Sequence, residues 1–161
     1  MDRVKENREN DEYLIRFLRS DDLPRLVKMD QAASGRNRQA WYEGKLHRAL
    51  EESDVRISLG AEVDGVLVGA LMGSVQYGEF GQPEPVAILD TVLVDQNFGR
   101  RGIATAMLAQ LLQNLRGLRI ATLRTELAWD ELDLLAFFGK AGFHPVPRLV
   151  LERDVSQEGE S

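Results

Sequence analysis

The stretch with the most chemical content runs Val92-Leu93-Val94-Asp95-Gln96-Asn97-Phe98-Gly99-Arg100-Arg101-Gly102-Ile103-Ala104-Thr105. An apolar strand leads into a loop with two glycines, and an amphipathic helix follows. Amides in the first turn of a helix have no intrahelical acceptor, and the helix dipole adds partial positive charge at the same end. Together they form an anion site. Gly99 and Gly102 permit close backbone approach by a bulky group such as a pyrophosphate, and Arg100 and Arg101 add charge. Each dipole–anion contact is worth about 0.3–1 kcal/mol at an exposed site. The spacing is neither G-x-G-x-x-G nor a P-loop, which would need a lysine and a hydroxyl residue. The plainer alternative is a strand–turn–helix with incidental glycines.

The elements that must position this loop are legible from periodicity. Tyr13 to Leu18 reads as a first strand. Ser20-Asp21-Asp22 offers N-caps, and Pro24 suits the start of a helix carrying Leu23, Leu26, Val27 and Met29 or Asp30. Ser34 to Asn37 breaks it, and a second helix follows over about Arg38 to Glu51, with Trp41, Leu46 and Leu50 amid charges. Val55 to Val63 and Val66 to Tyr77 read as strands joined at Asp64-Gly65. A Gly/Pro-rich loop, Gly78 to Pro85, precedes Val86 to Val94, which is apolar enough for a central strand. The helix from Gly102 to about Leu115 shows Ile103, Met107, Leu108, Leu111, Leu112 and Leu115 on one face. Ile120 to Leu127 reads as a strand, Asp130 to Ala141 as a helix ended by Gly142, and Pro147 to Arg153 as a closing strand. The expected organisation is a loose segment over 1–11, one domain over 12–155 and a disordered tail over 156–161.

Composition bounds the rest. The chain has 161 residues, 43% of them hydrophobic, and a net charge of -6. This is enough for one domain with a core, and the acidic balance argues against nucleic acid as a partner. No cysteine is present, so disulfides, thiolate metal sites and a cysteine nucleophile are excluded. His47 and His144 are the only histidines; His47 reads as a surface helix residue and His144 as the start of a strand, and no metal site is expected. No apolar run reaches the length of a membrane span, and the charged start, MDRVKENRENDEY, lacks a secretory apolar stretch. The expectation is a cytoplasmic protein that does not bind a membrane.

Two segments resemble the GNAT superfamily of N-acetyltransferases. Gly99-Arg100-Arg101-Gly102-Ile103-Ala104 is similar to the family's Q/R-x-x-G-x-G/A, with a departure at Gly99 for which Arg100 can supply the charge. Leu135-Ala136-Phe137-Phe138-Gly139-Lys140-Ala141-Gly142-Phe143 is similar to A-x-x-F-Y-x-K-x-G-F. The resemblance spans roughly Tyr13 to Arg153 and is specific from about Val86 to Phe143. It implies an α/β fold of the GNAT type: a central mixed β-sheet, splayed between two parallel strands and flanked by helices. It also implies acetyl-CoA as cosubstrate. The pantetheine arm would pair with Val92, Leu93 and Val94 like an added strand, and the pyrophosphate would meet the amides of Arg100, Arg101, Gly102, Ile103, Ala104 and Thr105. Gly99, Phe137 and Phe138 complete the cofactor residues so implied.

Acetyl transfer from a thioester needs a neutral amine. Neutralising a lysine of pKa about 10.4 at pH 7 costs roughly 4–5 kcal/mol, against about 1 kcal/mol for an α-amine. Asp90 interrupts an apolar strand and is the first candidate for the general base, on the expectation that burial raises its pKa; a loop cap or a partnership with an arginine is the alternative. Glu126 is the second candidate, with an ordinary ion pair as its alternative. A backbone amide of Leu93 or Val94 would polarise the thioester carbonyl, an interaction worth about 3 kcal/mol. Phe138 stands where many family members carry the tyrosine that protonates the leaving thiolate, which leaves water, Tyr42, Tyr77 or unassisted departure. Trp129 and Asp130 lie at the mouth of the wedge, with packing and an N-cap as alternatives. Trp41, Tyr42 and Arg36 would line the acceptor cleft or simply pack and solvate the second helix. The reading is direct transfer of acetyl to a small-molecule or peptide amine. A non-catalytic acyl-CoA-binding or interaction module on the same fold is the alternative, and homodimerisation stays open.

Overall fold

The computed structural model describes residues 13–53, 55–78, 81–99 and 102–156. The expected loose N-terminal segment lies outside them, as do Arg100, Arg101 and all of the expected tail except Ser156. The chain divides into two compact units, Met1–Glu126 and Leu127–Ser161.

The first unit is built on a five-stranded sheet in the order β1-β2-β3-β4-β5. The strands are β1 (Tyr13–Phe17), β2 (Leu59–Val63), β3 (Val66–Gln76), β4 (Val86–Val94) and β5 (Thr122–Thr125). The pairs β1–β2, β2–β3 and β3–β4 are antiparallel, whereas β4–β5 is parallel. Among the described residues of this unit the α-helices are α1 (Leu23–Ser34), α2 (Gln39–His47) and α3 (Ile103–Gly117). A π-helical turn, Arg48–Glu52, extends α2.

Alternation along β3, reset by one extra residue at Val68 where its register with β2 shifts, sends its side chains to two faces. Leu67, Ala70 and Met72 pack with Leu26, Val27 and Met29 of α1 and with Tyr42 and Leu46 of α2. On the opposite face, α3 lies directly on β3 at Gly69. A Cβ there would stand 2.9 Å from Met107 Cε and 3.1 Å from Ile103 Cγ2. The glycine thus sets how closely the start of α3 approaches the sheet. Ile103, Met107, Leu108, Leu111 and Leu115 are buried, the face that the helical spacing predicts.

Four elements differ from expectation. Val55 to Ser58 is not strand: the ladder begins at Leu59, and the preceding chain is held by Leu18 N donating to Ser58 O at 3.1 Å. Ser20–Asp22 forms a 3-10 turn, and no side chain caps α1. Asp22 is occupied instead by a two-pronged bond from Arg16, 2.8 Å on each oxygen. β5 is shorter than Ile120 to Leu127, because Ile120 is drawn into the end of α3, its amide donating to Leu115 O at 2.9 Å. Residues 147–153 carry no strand. Leu149 and Leu151 are each 87% exposed, and an apolar β-prone run forms a strand only where an edge accepts it.

The second unit contains α4 (Leu132–Lys140). Its start is not capped by Asp130; Glu131 holds the N-cap position and accepts from Ala128 N at 2.8 Å. Phe138 is buried at 2% exposure. Phe137 and Phe143 stand edge-on to it, with ring centres 5.2 and 4.9 Å away. Gly142, at φ 93°, ends the helix as expected.

Candidate active site

The site begins with a fault in the sheet. Met72 pairs with Thr91 and Gly73 with Leu89, so Asp90 is an extra residue in β4. Such a bulge bends its strand and increases the local twist. Gly73 makes it possible, because a Cβ at that position would lie 2.3 Å from Ile88 O. The bulge coincides with the end of the parallel pairing. β5 accompanies β4 only from Val86 to Leu89, and the last rung is marked by Thr125 Oγ1 donating to Leu89 O at 2.8 Å. Beyond it, Thr91 to Val94 keep their antiparallel partners on β3 but have no strand on the other side among the described residues. Val92, Leu93 and Val94 are half-buried there, on an edge open to a further extended chain.

The exit from β4 is fixed by Asp95. Its amide donates to Val68 O at 2.8 Å, and its carboxylate accepts from Asn97 N at 2.9 Å. Arg25 of α1 donates to the same carboxylate at 2.9 Å and to Leu67 O at 2.9 Å. The Asn97 amide first, and then Arg25, hold the Asp95 carboxyl below its ordinary range. The turn Gln96–Phe98 follows, with Gln96 Nε2 bonded to Ala32 O at 2.9 Å. Gly99 lies in the extended region, but Gly102 is left-handed, at φ 74° and ψ 13°. The first bond of α3 runs from Ala106 N to Gly102 O at 2.9 Å. The amides of Ile103, Ala104 and Thr105 precede it, so the helix itself offers them no acceptor. They sit beside the end of β4, because Gly69, against which Ile103 packs, pairs with Val94. Sequence and structure thus bring together Val92 to Val94, Gly99 and Gly102 to Thr105. Arg100 and Arg101 lie outside the described residues, and Phe137 and Phe138 belong to the second unit.

On the α2 side of the sheet, Asp90 is not the buried carboxylate that the sequence suggests. Its side chain is 40% exposed and bridged to Lys45 Nζ at 2.6 Å, with Thr91 Oγ1 donating to the same oxygen at 2.9 Å. The bulge explains the difference, since the extra residue leaves the inward alternation of β4. The partner is a lysine of α2 rather than an arginine or a loop. Lys45 also lies over Trp41, 5.2 Å from its ring centre, with Arg38 at 5.7 Å. Trp41 is 46% exposed and packs edge-on against buried Tyr42, ring centres 4.6 Å apart. Sequence reading passed over Lys45, although its position four residues after Trp41 puts both on one helix face. The glycine inside the apolar strand Leu71-Met72-Gly73-Ser74-Val75 was a signal for the bulge.

Beneath this face, Asp30 accepts from Arg38 Nε at 2.8 Å, with a second bond from Arg38 Nη2 to its other oxygen. The Arg38 bond first, with help from Tyr42 and Ser34, lowers the Asp30 pKa from its ordinary 3.8. Burial is the main cause that raises the Tyr42 pKa, with Asp30 adding to it; Tyr42 therefore faces the core and Asp30 rather than solvent. The depressed Asp30 value gives a stability term present above the unfolded pKa and lost as pH falls through the lower folded value. Asp30→Asn should cost on the order of 1–3 kcal/mol at neutral pH. It should also flatten the loss of stability below about pH 4, as read by denaturant melts across an acid series. An acid limb as steep as that of the parent would contradict this role.

Glu126 is exposed just past β5, and Trp129 is 90% exposed in the second unit. Tyr77 is 63% exposed and, with Arg48, Glu52, Ser53, Val55, Ser74 and Val75, lines an open cavity of about 320 Å³ at the far end of β3. His47 lies 3.8 Å from Glu52 on the helix surface.

The acetyltransferase (GNAT) family model matches residues 13–143. The chain belongs to that family. Among solved structures, the acetyltransferase resembles an aminoglycoside N-acetyltransferase, AAC(6')-Iy, in complex with CoA, at 17% identity and a TM-score of 0.76 over 91% of this chain and 97% of the other. The same aminoglycoside enzyme bound to a bisubstrate analogue, CoA-S-monomethyl-acetylneamine, matches with 18% identity and a TM-score of 0.72, covering 88% and 97%. A ribosomal-protein-alanine N-acetyltransferase from Brucella melitensis biovar Abortus 2308 matches with 19% identity and a TM-score of 0.70, covering 88% and 99%. No curated protein matches in sequence. Family membership and the CoA-bound neighbours agree with acetyl-CoA as cosubstrate. No helix among the described residues is long and apolar enough to cross a membrane.

Proposed function

We propose that the acetyltransferase transfers acetyl from acetyl-CoA to a primary amine by direct attack, at the unpaired edge of β4. The observation that carries this reading is the coincidence at one place of three features. Pairing to β5 ends at Leu89, a bulge at Asp90 follows, and a left-handed glycine opens α3 just beyond the strand. In this reading the pantetheine amides pair with Val92 to Val94 as an added strand would. The pyrophosphate lies against the amides of Gly102 to Thr105, with the arginines at 100 and 101 adding charge. A β4 amide, of Leu93 or Val94, polarises the thioester carbonyl. The tetrahedral intermediate collapses by breaking the C–S bond, and the thiolate leaves without a tyrosine at position 138, which its low basicity permits.

Asp90 is the group that meets the acceptor. Its exposed carboxylate already binds one ammonium, that of Lys45, so it suits an amine both as counter-ion and as proton acceptor. Glu126, exposed beyond β5, is the weaker candidate. The acceptor approaches from the α2 side, past the face of Trp41. Peptide ends, amino-acid side chains and aminosugars all present the required amine, and the structural neighbours named above include enzymes for two of these classes.

The test is amine-dependent release of CoA thiol from acetyl-CoA across α-amines, lysine, polyamines and aminoglycosides. Release with one class identifies the acceptor. CoA binding without release in any class would instead support a binding module. Asp90→Asn should lower kcat/KM on the order of 10²-fold at neutral pH, and less at high pH, where the amine loses its proton unaided. An unchanged pH–rate profile would remove Asp90 from the proton path.

A further inference from the structure

One amine of the chain is already held at the proposed transfer site. Lys45 Nζ lies 2.6 Å from Asp90 Oδ1, and its side chain is only 15% exposed. The ammonium also lies over the Trp41 ring, 5.2 Å from its centre, so the side chain is held at both contacts rather than extended into solvent as surface lysines are. Asp90 itself is the residue immediately after the last β4–β5 rung. Lys45 therefore presents a primary amine to the mouth of the open β4 edge, in contact with the carboxylate best placed to take its proton. By contrast, Lys28 and Lys140 are exposed.

We propose that Lys45 is a self-acetylation site, modified when acetyl-CoA is bound and no other amine occupies the acceptor position. The proposal rests on the acetyl-CoA reading of the β4 edge. The ammonium of Lys45 gives a proton to the Asp90 carboxylate, and the freed lone pair attacks the thioester carbon. The new bond is N–C, the bond broken is C–S, and CoA departs as the thiolate carrying that electron pair. The proton on Asp90 passes to water, and the second proton, shed by the nitrogen as the C–S bond breaks and the amide forms, goes to the departing thiolate or to water; no oxidant or reductant is required. The product amide is neutral, so the ion pair to Asp90 is lost and that carboxylate becomes available to an incoming ammonium. Modification would thus convert a self-occupied site into one open to an external amine.

Intact-mass measurement and peptide mapping after incubation with acetyl-CoA, without acceptor, test this directly, alongside melting of the same sample with and without acetyl-CoA. The expected result is one acetyl group at Lys45, added much faster than at Lys28 or Lys140 and at a rate unchanged by dilution. Lys45→Arg, which keeps a cation beside Asp90, should lose that modification while still melting higher with acetyl-CoA. A ligand-induced rise in Tm with no acetylation, or with Lys45 reacting no faster than the exposed lysines, would overturn the self-acetylation proposal and leave the cosubstrate reading standing. No rise in Tm and no acetylation would overturn both.

Discussion

Gly102→Val should lower acetyl-CoA affinity by on the order of 10–100-fold, a loss of about 1.4–2.8 kcal/mol. Gly102 stands at φ 74° at the threshold of α3, where a side chain costs about 1–2 kcal/mol and a β-branched one suffers most. The backbone can relieve that strain only by rotating the entrance of the helix, which re-aims the amides of Ile103, Ala104 and Thr105. Those amides are the fixed donors of the proposed pyrophosphate site. Gly99 provides the contrast. It is in the extended region, and a Cβ there would meet only Gln96 O, at 3.7 Å. Gly99→Ala should therefore leave stability unchanged. Titration of both variants with acetyl-CoA, with melting curves to show that they are folded, decides the matter. Equal affinity of Gly102→Val and the parent would remove the α3 entrance from the cofactor site.

Gly73→Ala should be the most damaging small substitution in the sheet. Its Cβ would fall 2.3 Å from Ile88 O and 3.2 Å from Ile57 Cδ1, and the first of these atoms is backbone in a neighbouring strand and cannot swing aside. Overpacking of this kind costs about 1–3 kcal/mol and at times more. A loss near 3 kcal/mol corresponds to about 6–12 °C in Tm for a chain of this size. The consequence for activity follows from position: Gly73 faces the bulge, so a shift there moves Asp90 and the start of the open edge. The variant should lose turnover even at temperatures where it is folded. Parent-like stability together with parent-like kcat would show that the bulge neither needs the glycine nor shapes the site.

The fold was legible where periodicity and loop chemistry agreed. Val86 to Val94 appears in the structure with the boundaries its apolar run implies, and α3 buries the stripe expected of it. The entrance to α3 was legible because glycine at a strand–helix junction has few conformational reasons to be there other than a positive φ or a close approach. The closing strand failed because β-propensity describes residues that fit a sheet surface and does not by itself supply a ladder partner. Asp90 was found, but its environment was not. A lone acid in an apolar strand reads as buried, whereas a one-residue bulge turns it outward to a lysine more than forty positions earlier in the chain. Neither the bulge register nor the Lys45 partnership is local in sequence. Only Gly73 on one strand and the Trp41–Lys45 spacing on a helix carried a trace of them.

The most direct test of the central claim is the melting temperature with acetyl-CoA, with ATP and NAD as controls. A ligand at a hundred times its Kd should add about 2.7 kcal/mol of stability, or about 5–11 °C in Tm. The expected result is that rise with acetyl-CoA and CoA but not with the controls, and its disappearance in Gly102→Val. A folded protein whose Tm does not move with acetyl-CoA in excess would contradict it.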